Sequence, residues 1–141
     1  MTELDIKTLQ AALNNDNNER IMDLDEKTLE TVKNNMLEEL DMPKIELSSM
    51  KNSLKLYRYV DELPDLNFGA YVRWIQLKDV HIAKLTTGGF VCDVKIDNGI
   101  IIVCKNKFNR HFQFRMGDCL IFQKLSQQER VLLSAMKYLN N

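Results

Sequence analysis

Apolar residues recur at helical spacing in the first part of the chain. Leu4, Ile6, Leu9 and Leu13 form a short apolar stripe, which predicts an amphipathic helix near the N-terminus. The asparagine-rich tract 14–18 follows, and Asn and Asp side chains compete for backbone hydrogen bonds. This tract therefore predicts the end of the first helix.

A second helix is predicted between Asp23 and Pro43. Asp23 and Glu26 have the spacing of a capping box, and the residue before a proline avoids the α conformation. The apolar residues between these limits share one helix face: Leu29, Val32, Met36, Leu37 and Leu40. This is the clearest helical pattern in the N-terminal half.

Residues 44–62 fit two conformations. Met50, Leu54 and Tyr57 keep helical spacing, whereas the stretch 57–60 fits an extended strand equally well. Short helices are marginal in water unless their apolar face packs on something. We therefore predict that residues 1–62 form a helical arm that packs on its own barrel, on a second copy or on another protein.

The predicted contact face of this arm consists of four side chains. They are Leu29, Val32, Met36 and Leu40. Burying them would contribute about 25 cal/mol per Å² of apolar area, less the cost of ordering the arm. The predicted partner of this face is another protein or a second copy of the chain.

From residue 65 onward the period of the apolar pattern changes to two, which is typical of strands. The alternating or apolar segments are 71–77, 90–96, 100–104, 111–115 and 119–124. Asn98-Gly99 predicts a tight hairpin, because a type I′ turn needs positive φ at both central residues. Gly88-Gly89 predicts a turn or bulge before the second strand. Five short strands joined by tight turns are therefore expected.

These elements predict an α+β fold in three parts. The acidic helical arm of residues 1–62 precedes a small antiparallel β-barrel at 63–125, of SH3-like or OB-like type, because a sheet this small covers its faces best by closing. A C-terminal helix at 126–141 is predicted to pack on the barrel or the arm. Ser126 and Glu129 form its capping box.

The two halves of the chain carry opposite charge. Residues 1–62 hold 14 acidic and 8 basic residues, whereas residues 63–141 hold 6 acidic and 11 basic residues. The basic half is therefore expected to meet either the acidic half or an external polyanion. A hydrophobic fraction of 45% and a charged fraction of 28% exclude a wholly disordered chain and a disulfide scaffold.

Targeting and redox signals are sparse. The chain has no apolar run long enough for a membrane helix, and MTELDIKTLQ lacks the features of a secretory signal. Three cysteines without a Cys-x-x-Cys pair fit synthesis in a reducing compartment. Neither a metal site nor a cofactor is predicted, since no four ligands have suitable spacing.

Catalytic patterns are absent from the sequence. Neither a phosphate-binding loop nor a Gly-x-Ser-x-Gly elbow occurs, and His81 and His111 lack a nucleophile or carboxylate at a recognisable spacing. We therefore predict that the protein is not an enzyme and has no small-molecule substrate.

Basic residues with an aromatic among them form the best binding signal. The candidate nucleic-acid-binding residues are Arg73, Lys105, Lys107, Arg110 and Arg115, with Phe108 between them in the sequence. A third interpretation is a Tudor-like peptide reader in which Tyr71 and Trp74 form part of an aromatic cage. Strand alternation argues against that cage, because these two side chains point to opposite faces.

The segment Leu66–Ile75 resembles the opening of short β-barrel proteins of nucleocytoplasmic large DNA viruses. It matches the pattern L-x-x-G-x-Y-x-R followed by an aromatic residue; Leu85–Gly89 matches a following Leu-x-x-Gly-Gly turn, and Ile121–Lys124 a closing Ile-Phe-x-Lys strand. Phe112–Phe114 departs from the family, which has a Trp-Ser strand there. The resemblance covers about residues 63–125.

This resemblance implies a virion-associated small barrel that is synthesised in the host cytoplasm. Its predicted partners, contacted through the arm of residues 1–62, are other virion proteins or a second copy of the chain. The leading hypothesis is a non-enzymatic structural or interaction protein of a large DNA virus, such as a minor capsid component. The alternative is a small β-barrel module that binds nucleic acid.

Overall fold

The computed structural model describes residues 3–18, 21, 25–78 and 83–139. The helices are α1 (Glu3–Leu13), α2 (Glu26–Glu38), α3 (Lys44–Ser53) and α4 (Gln127–Leu139). The strands are β1 (Tyr57–Val60), β2 (Tyr71–Gln76), β3 (Gly89–Ile96), β4 (Ile100–Lys105), β5 (His111–Arg115) and β6 (Cys119–Lys124). The predicted α+β class is confirmed. The proposed start of the second helix at Asp23 lies outside the described residues.

All six strands form one antiparallel sheet in the order β1-β6-β2-β3-β4-β5. In the described residues no pairing joins the edge strands β1 and β5, so the sheet is not closed, and the predicted closed barrel is corrected. The sheet is nevertheless strongly curled. The Trp74 ring on β2 and the Phe114 ring on β5 stack with centroids 4.2 Å apart, although two strands separate β2 from β5.

The open sheet is stable because both of its faces are covered in part. The curled inner face buries a core of Val60, Val72, Trp74, Val91, Ile102, Cys104, Phe114, Cys119 and Ile121. Three side chains from the helices and their ends pack on the outer face against the strand residues Ile75, Leu120 and Phe122. They are Leu37 of α2, Met50 of α3 and Leu54 at the end of α3. The helices thus cover apolar area on the outer face, while the apolar side chains of the inner face pack against one another across the curled sheet.

Both conformations considered for residues 44–62 occur in succession. Helix α3 ends at Ser53, and β1 then pairs with β6 from Tyr57↔Lys124 to Val60↔Ile121. The predicted arm thus contributes a sixth strand to the sheet.

A buried lysine holds the connection between α3 and β1. Lys33 of α2 is 1% exposed, and its Nζ donates to the carbonyl oxygens of Leu54 at 2.8 Å, Tyr57 at 3.0 Å and Lys55 at 3.5 Å. The last carbonyl groups of a helix lack partners within the helix, and a positive charge is favourable there. Lys33 therefore caps α3 from another helix.

The chain divides into two compact units, one of residues 1–32 with 125–141 and one of residues 33–124. We call these the helical unit and the sheet unit. The division falls within α2, between Val32 and Lys33, and so differs from the predicted boundaries at 62 and 125. Among the described residues, none of the helices has both the length and the apolar character needed to cross a membrane.

The helical unit is built from both ends of the chain. Its buried core consists of Ala12, Ile21, Leu132 and Leu133, with Leu9, Leu29 and Leu125 packed against it. The Nδ2 atoms of Asn15 and Asn18 donate to Oε1 of Gln128 at 2.9 and 3.1 Å. The asparagine tract thus ends α1, as predicted, and also ties it to the start of α4.

Two short sequence signals take the predicted geometry. The Ser126 amide donates to Glu129 Oε1 and the Glu129 amide donates to Ser126 Oγ, both at 3.0 Å, which completes the capping box of α4. Asn98 and Gly99 have φ values of +51° and +124° between β3 and β4. These are the positive values that the predicted hairpin requires.

Candidate nucleic-acid interface

Four side chains form a cross-strand row on the sheet, which we call the aromatic–basic row. Strand register places Tyr71 opposite Phe90, Phe90 opposite Lys105, and Lys105 opposite His111. Cross-strand partners point to the same face of a sheet. The Tyr71 and Phe90 rings meet edge to face with centroids 5.0 Å apart, while Lys105 and His111 are exposed. The row therefore begins with paired rings and ends with basic and imidazole groups.

The segment before β3 fixes the aromatic end of this row. The Tyr71 hydroxyl donates to the Thr87 carbonyl oxygen. Gly88 has φ +93°, and a Cβ there would lie 2.5 Å from the Val72 carbonyl oxygen and 2.8 Å from Cε1 of Tyr71. Only glycine fits this close approach, so Gly88 allows the segment to lie across β2 and hold the Tyr71 ring.

The β4–β5 turn, at residues 106–110, presents a second exposed ring. Asn106 Oδ1 accepts from the amides of Phe108 at 2.9 Å and Arg110 at 3.0 Å, and Asn109 has φ +62°. Phe108 is 77% exposed, and Lys107 Nζ lies 5.2 Å from its ring centroid. The turn therefore holds an aromatic side chain and two cations in solvent.

The five predicted nucleic-acid-binding residues do not form one group. Lys105, Lys107 and Arg110 are all exposed at the end of the β4–β5 hairpin. Arg73 is half-buried, and its Nε donates to the Thr86 carbonyl oxygen at 2.7 Å. Arg115 lies at the far end of β5, where Nη1 donates to the carbonyl oxygens of Asp97 at 2.9 Å and Asn98 at 3.2 Å.

The interface comprises the aromatic–basic row and the β4–β5 turn. No acidic residue occurs from residue 98 to residue 117, which hold four Lys and Arg residues. The formal charge of this segment is therefore positive. Sequence reasoning missed Phe90 and His111 as members; the period-two pattern put both on strands, but their meeting with Lys105 depends on the register between strands.

The four predicted arm residues occupy different environments. Leu29 packs against the core of the helical unit, while Met36 and Leu40 pack against the outer-face core of the sheet unit. Val32 is 42% exposed. Three of the four side chains therefore already have apolar contacts within the chain.

The rings considered for a peptide-binding cage are separated. Trp74 is 6% exposed and stacked on Phe114 in the inner core, whereas Tyr71 lies in the row on the other face. As expected from strand alternation, Tyr71 and Trp74 lie on opposite faces of the sheet, so the two rings do not form one cage.

Two of the three thiols are buried in the inner core. Burial raises the pKa of Cys104 to about 12, with a smaller contribution from Cys92, and burial followed by the nearby Asp118 charge raises the pKa of Cys119 to about 11. Both groups are therefore neutral thiols at pH 7. In the part of the chain that the structure describes, no three His, Cys, Asp or Glu side chains are grouped so as to hold a metal ion.

Comparisons of the chain with protein-family models, with curated proteins and with solved structures find no match. The resemblance to viral β-barrel proteins thus remains a prediction from the sequence motifs, and the interface described above depends on geometry alone.

Proposed function

We propose that this protein is a non-catalytic binding protein whose aromatic–basic row and β4–β5 turn bind single-stranded nucleic acid. The observation that carries the proposal is the placement of partly exposed Phe90 and exposed Phe108 beside Lys105, Lys107 and Arg110. Proteins that bind single strands combine rings on which bases stack with cations that follow the phosphates.

The geometry of the row suits a single strand better than a duplex. Neighbouring strands lie about 4.8 Å apart, so a base stacked on Phe90 leaves its phosphate within reach of Lys105 on the next strand. Phe90 is 41% exposed and supported from the side by Tyr71. A duplex hides its base faces within the stack, whereas a single strand exposes them to such a ring.

The proposal is tested by fluorescence anisotropy with a labelled oligothymidylate of about twelve nucleotides. Phe90→Ala should weaken binding by about five- to 100-fold, since a stacked base contributes about 1–3 kcal/mol. Phe68→Ala is the matched control, because Phe68 is an exposed phenylalanine outside the row. Equal losses in both variants, or no binding at low salt, would contradict the proposal.

The contribution of the basic side chains is tested by the salt dependence of the binding affinity. Lys107→Ala should reduce the slope of log affinity against log salt by about 0.7, the value expected for one phosphate contact on a single strand. Lys84→Ala, which removes an exposed lysine outside the interface, should leave the slope unchanged. A slope that both substitutions change equally would indicate binding by net charge alone.

We propose as a second candidate a non-enzymatic structural or interaction protein of a large DNA virus, located in the virion and synthesised in the host cytoplasm. Some of the residues that carry the resemblance lie on β2 and β6, which are paired neighbours, while Leu85–Gly89 leads into β3, the other neighbour of β2. The return of β6 to pair with β2 also supports the SH3-like type of strand order.

Self-association through the arm is the testable part of this candidate. Light scattering on the full chain should give a mass above that of one copy, and Val32→Asp should lower it, because Val32 is the exposed member of the predicted arm face. Asn35→Asp adds the same charge at an exposed position of α2 as a control. A single-copy mass for the unaltered chain would contradict self-association.

A further inference from the structure

A polar cavity lies where the curled sheet brings β5 toward the ends of β2 and β6. Its volume is about 240 Å³. It is lined by Gln76, Lys78, Ile101, Gln113, Phe114, Arg115, Asp118 and Cys119. The Trp74–Phe114 stack explains its position, because that contact draws β5 across the inner face and leaves the cavity beside it.

The strand that borders this cavity has a free edge. β5 ends the strand order, and within the described residues its only strand partner is β4. Alternate residues of an edge strand direct their N–H and C=O groups away from the sheet, where another extended chain can pair with them. Gln113 and Arg115 contribute both to this edge and to the cavity wall.

The charges of the cavity select an acidic ligand. Lys78 and Arg115 contribute two positive charges against the single carboxylate of Asp118, whose Oδ2 lies 3.8 Å from Lys78 Nζ. Hydrogen bonds from Arg115 Nη1 to the carbonyl oxygens of Asp97 and Asn98 hold the guanidinium in place. Gln76 and Gln113 add amide donors, so a carboxylate would meet fixed charge and hydrogen-bond donors together.

The volume of the cavity limits the size of the ligand group that it can hold. Sites for drug-sized molecules have volumes of about 300–1,000 Å³, and this cavity is smaller. It suits one side chain of a longer ligand whose backbone lies outside. Strand addition works in this way, since main-chain hydrogen bonds give affinity and side-chain pockets give specificity.

We propose that β5 and this cavity form a docking site for an extended acidic segment of a partner protein. The segment adds as a strand beside β5 and places one carboxylate side chain in the cavity near Lys78 and Arg115. The cavity lies at the Arg115 end of β5, whereas the proposed nucleic-acid interface begins at His111 and continues into the β4–β5 turn. The proposal does not depend on the row binding nucleic acid.

The first test uses a labelled peptide of alternating glutamate and valine, with alternating lysine and valine as the control. The acidic peptide should bind at low salt, and it should slow hydrogen exchange at backbone amides of residues 111–115. The exchange measurement separates strand addition from charge attraction. Binding without protection of these amides, or equal binding of the basic peptide, would overturn the proposal.

The second test measures the binding of two charge-reversal variants to the acidic peptide and to the oligothymidylate. Lys78→Glu should weaken acidic-peptide binding by at least about fivefold and leave oligothymidylate binding unchanged, whereas Lys107→Glu should weaken the oligothymidylate more than the peptide. Both lysines are exposed, and circular dichroism confirms folding. If Lys78→Glu weakens the oligothymidylate as much as the peptide, the cavity belongs to a nucleic-acid surface and the proposal is wrong. If the protein binds the acidic peptide but not the oligothymidylate, the nucleic-acid proposal is wrong and the docking proposal stands.

Discussion

The helical unit and the sheet unit differ in what local sequence signals determine: they set helix ends in the helical unit but not the shape of the sheet. In the helical unit, the Ser126–Glu129 capping box and the Asn15–Asn17 turn act within a few residues at helix ends, although its helices are joined by distant contacts such as Asn15 with Gln128. The sheet unit depends on partners distant in sequence, such as Trp74 with Phe114 and Lys33 with Tyr57. Local signals therefore set where helices begin and end, whereas distant contacts determine the curvature of the sheet.

The difference also explains where the apolar stripe of α2 finds its contacts. Leu37 is fully buried against the outer face of the sheet, and Leu29 packs in the core of the helical unit. A single amphipathic face thus serves two cores. Much of the apolar surface that this helix contacts therefore comes from its own chain.

The strongest test of the long-range half of this comparison is Trp74→Ala. It removes a buried ring and its stack on Phe114, so we expect a loss of about 3–5 kcal/mol in the free energy of unfolding. Urea denaturation followed by far-ultraviolet circular dichroism measures this loss. Phe108→Ala, at an exposed ring, should change stability by less than about 0.5 kcal/mol. A similar small change for Trp74→Ala would mean that the stack does not organise the sheet.

Lys33→Met tests the cap that joins α3 to β1. The substitution keeps the apolar stem but leaves the carbonyl groups of Leu54 and Tyr57 without their ammonium donor, so we expect a loss of about 2–3 kcal/mol. Lys27→Met, on the exposed first turn of α2, is the matched control. Denaturation midpoints that agree for the two variants would show that the buried ammonium contributes nothing net.

Ser126→Ala tests the local half of the comparison, in the helical unit. It removes the hydroxyl that accepts from the Glu129 amide, and loss of such a cap costs about 1 kcal/mol. Ser134→Ala, at an exposed interior position of α4, should be neutral or slightly stabilising. Thermal unfolding of the two variants distinguishes these outcomes. A loss as large as that of Trp74→Ala would erase the distinction between the two units.

The smallest expected effect is the pH dependence of stability that the buried thiols of the sheet unit cause. The raised pKa values of Cys104 and Cys119 favour the neutral form in the folded state, so their contribution to stability is full below pH 9. This contribution is lost between pH 9 and about 12, because the thiols of the unfolded chain ionise at lower pH than those of the folded chain.

The order in which the thiols react tests whether the inner core is closed. At pH 8, a thiol reagent should modify half-buried Cys92 before Cys104 and Cys119. Faster modification of Cys104 would show that the inner core opens readily.

Much of the secondary structure was predictable because strand alternation and turn chemistry are short-range. The five predicted strands match β2 to β6 closely, and Asn98-Gly99 forms the expected hairpin turn. The sixth strand was not predicted to join the sheet, because Tyr57–Val60 carries no turn signal linking it to β6, its partner more than sixty residues away.

The candidate interface was only partly predictable for the same reason. Lys105, Lys107 and Arg110 are close in sequence, so composition alone indicated them. Phe90 joins Lys105 through the β3–β4 register, which a bulge between Val91 and Asp93 shifts by one residue. A shift of this kind changes which side chains meet, and nothing in the amino-acid pattern indicated it.

The assembly of the helical unit from both chain ends has a consequence for biosynthesis. Ala12 is made about 120 residues before Leu132 and Leu133, the side chains that pack against it. Strand β6, the partner of both β1 and β2, is also late. The nascent polypeptide therefore carries these earlier apolar segments uncovered until β6 and α4 have been made, and a chaperone would be needed most during that interval.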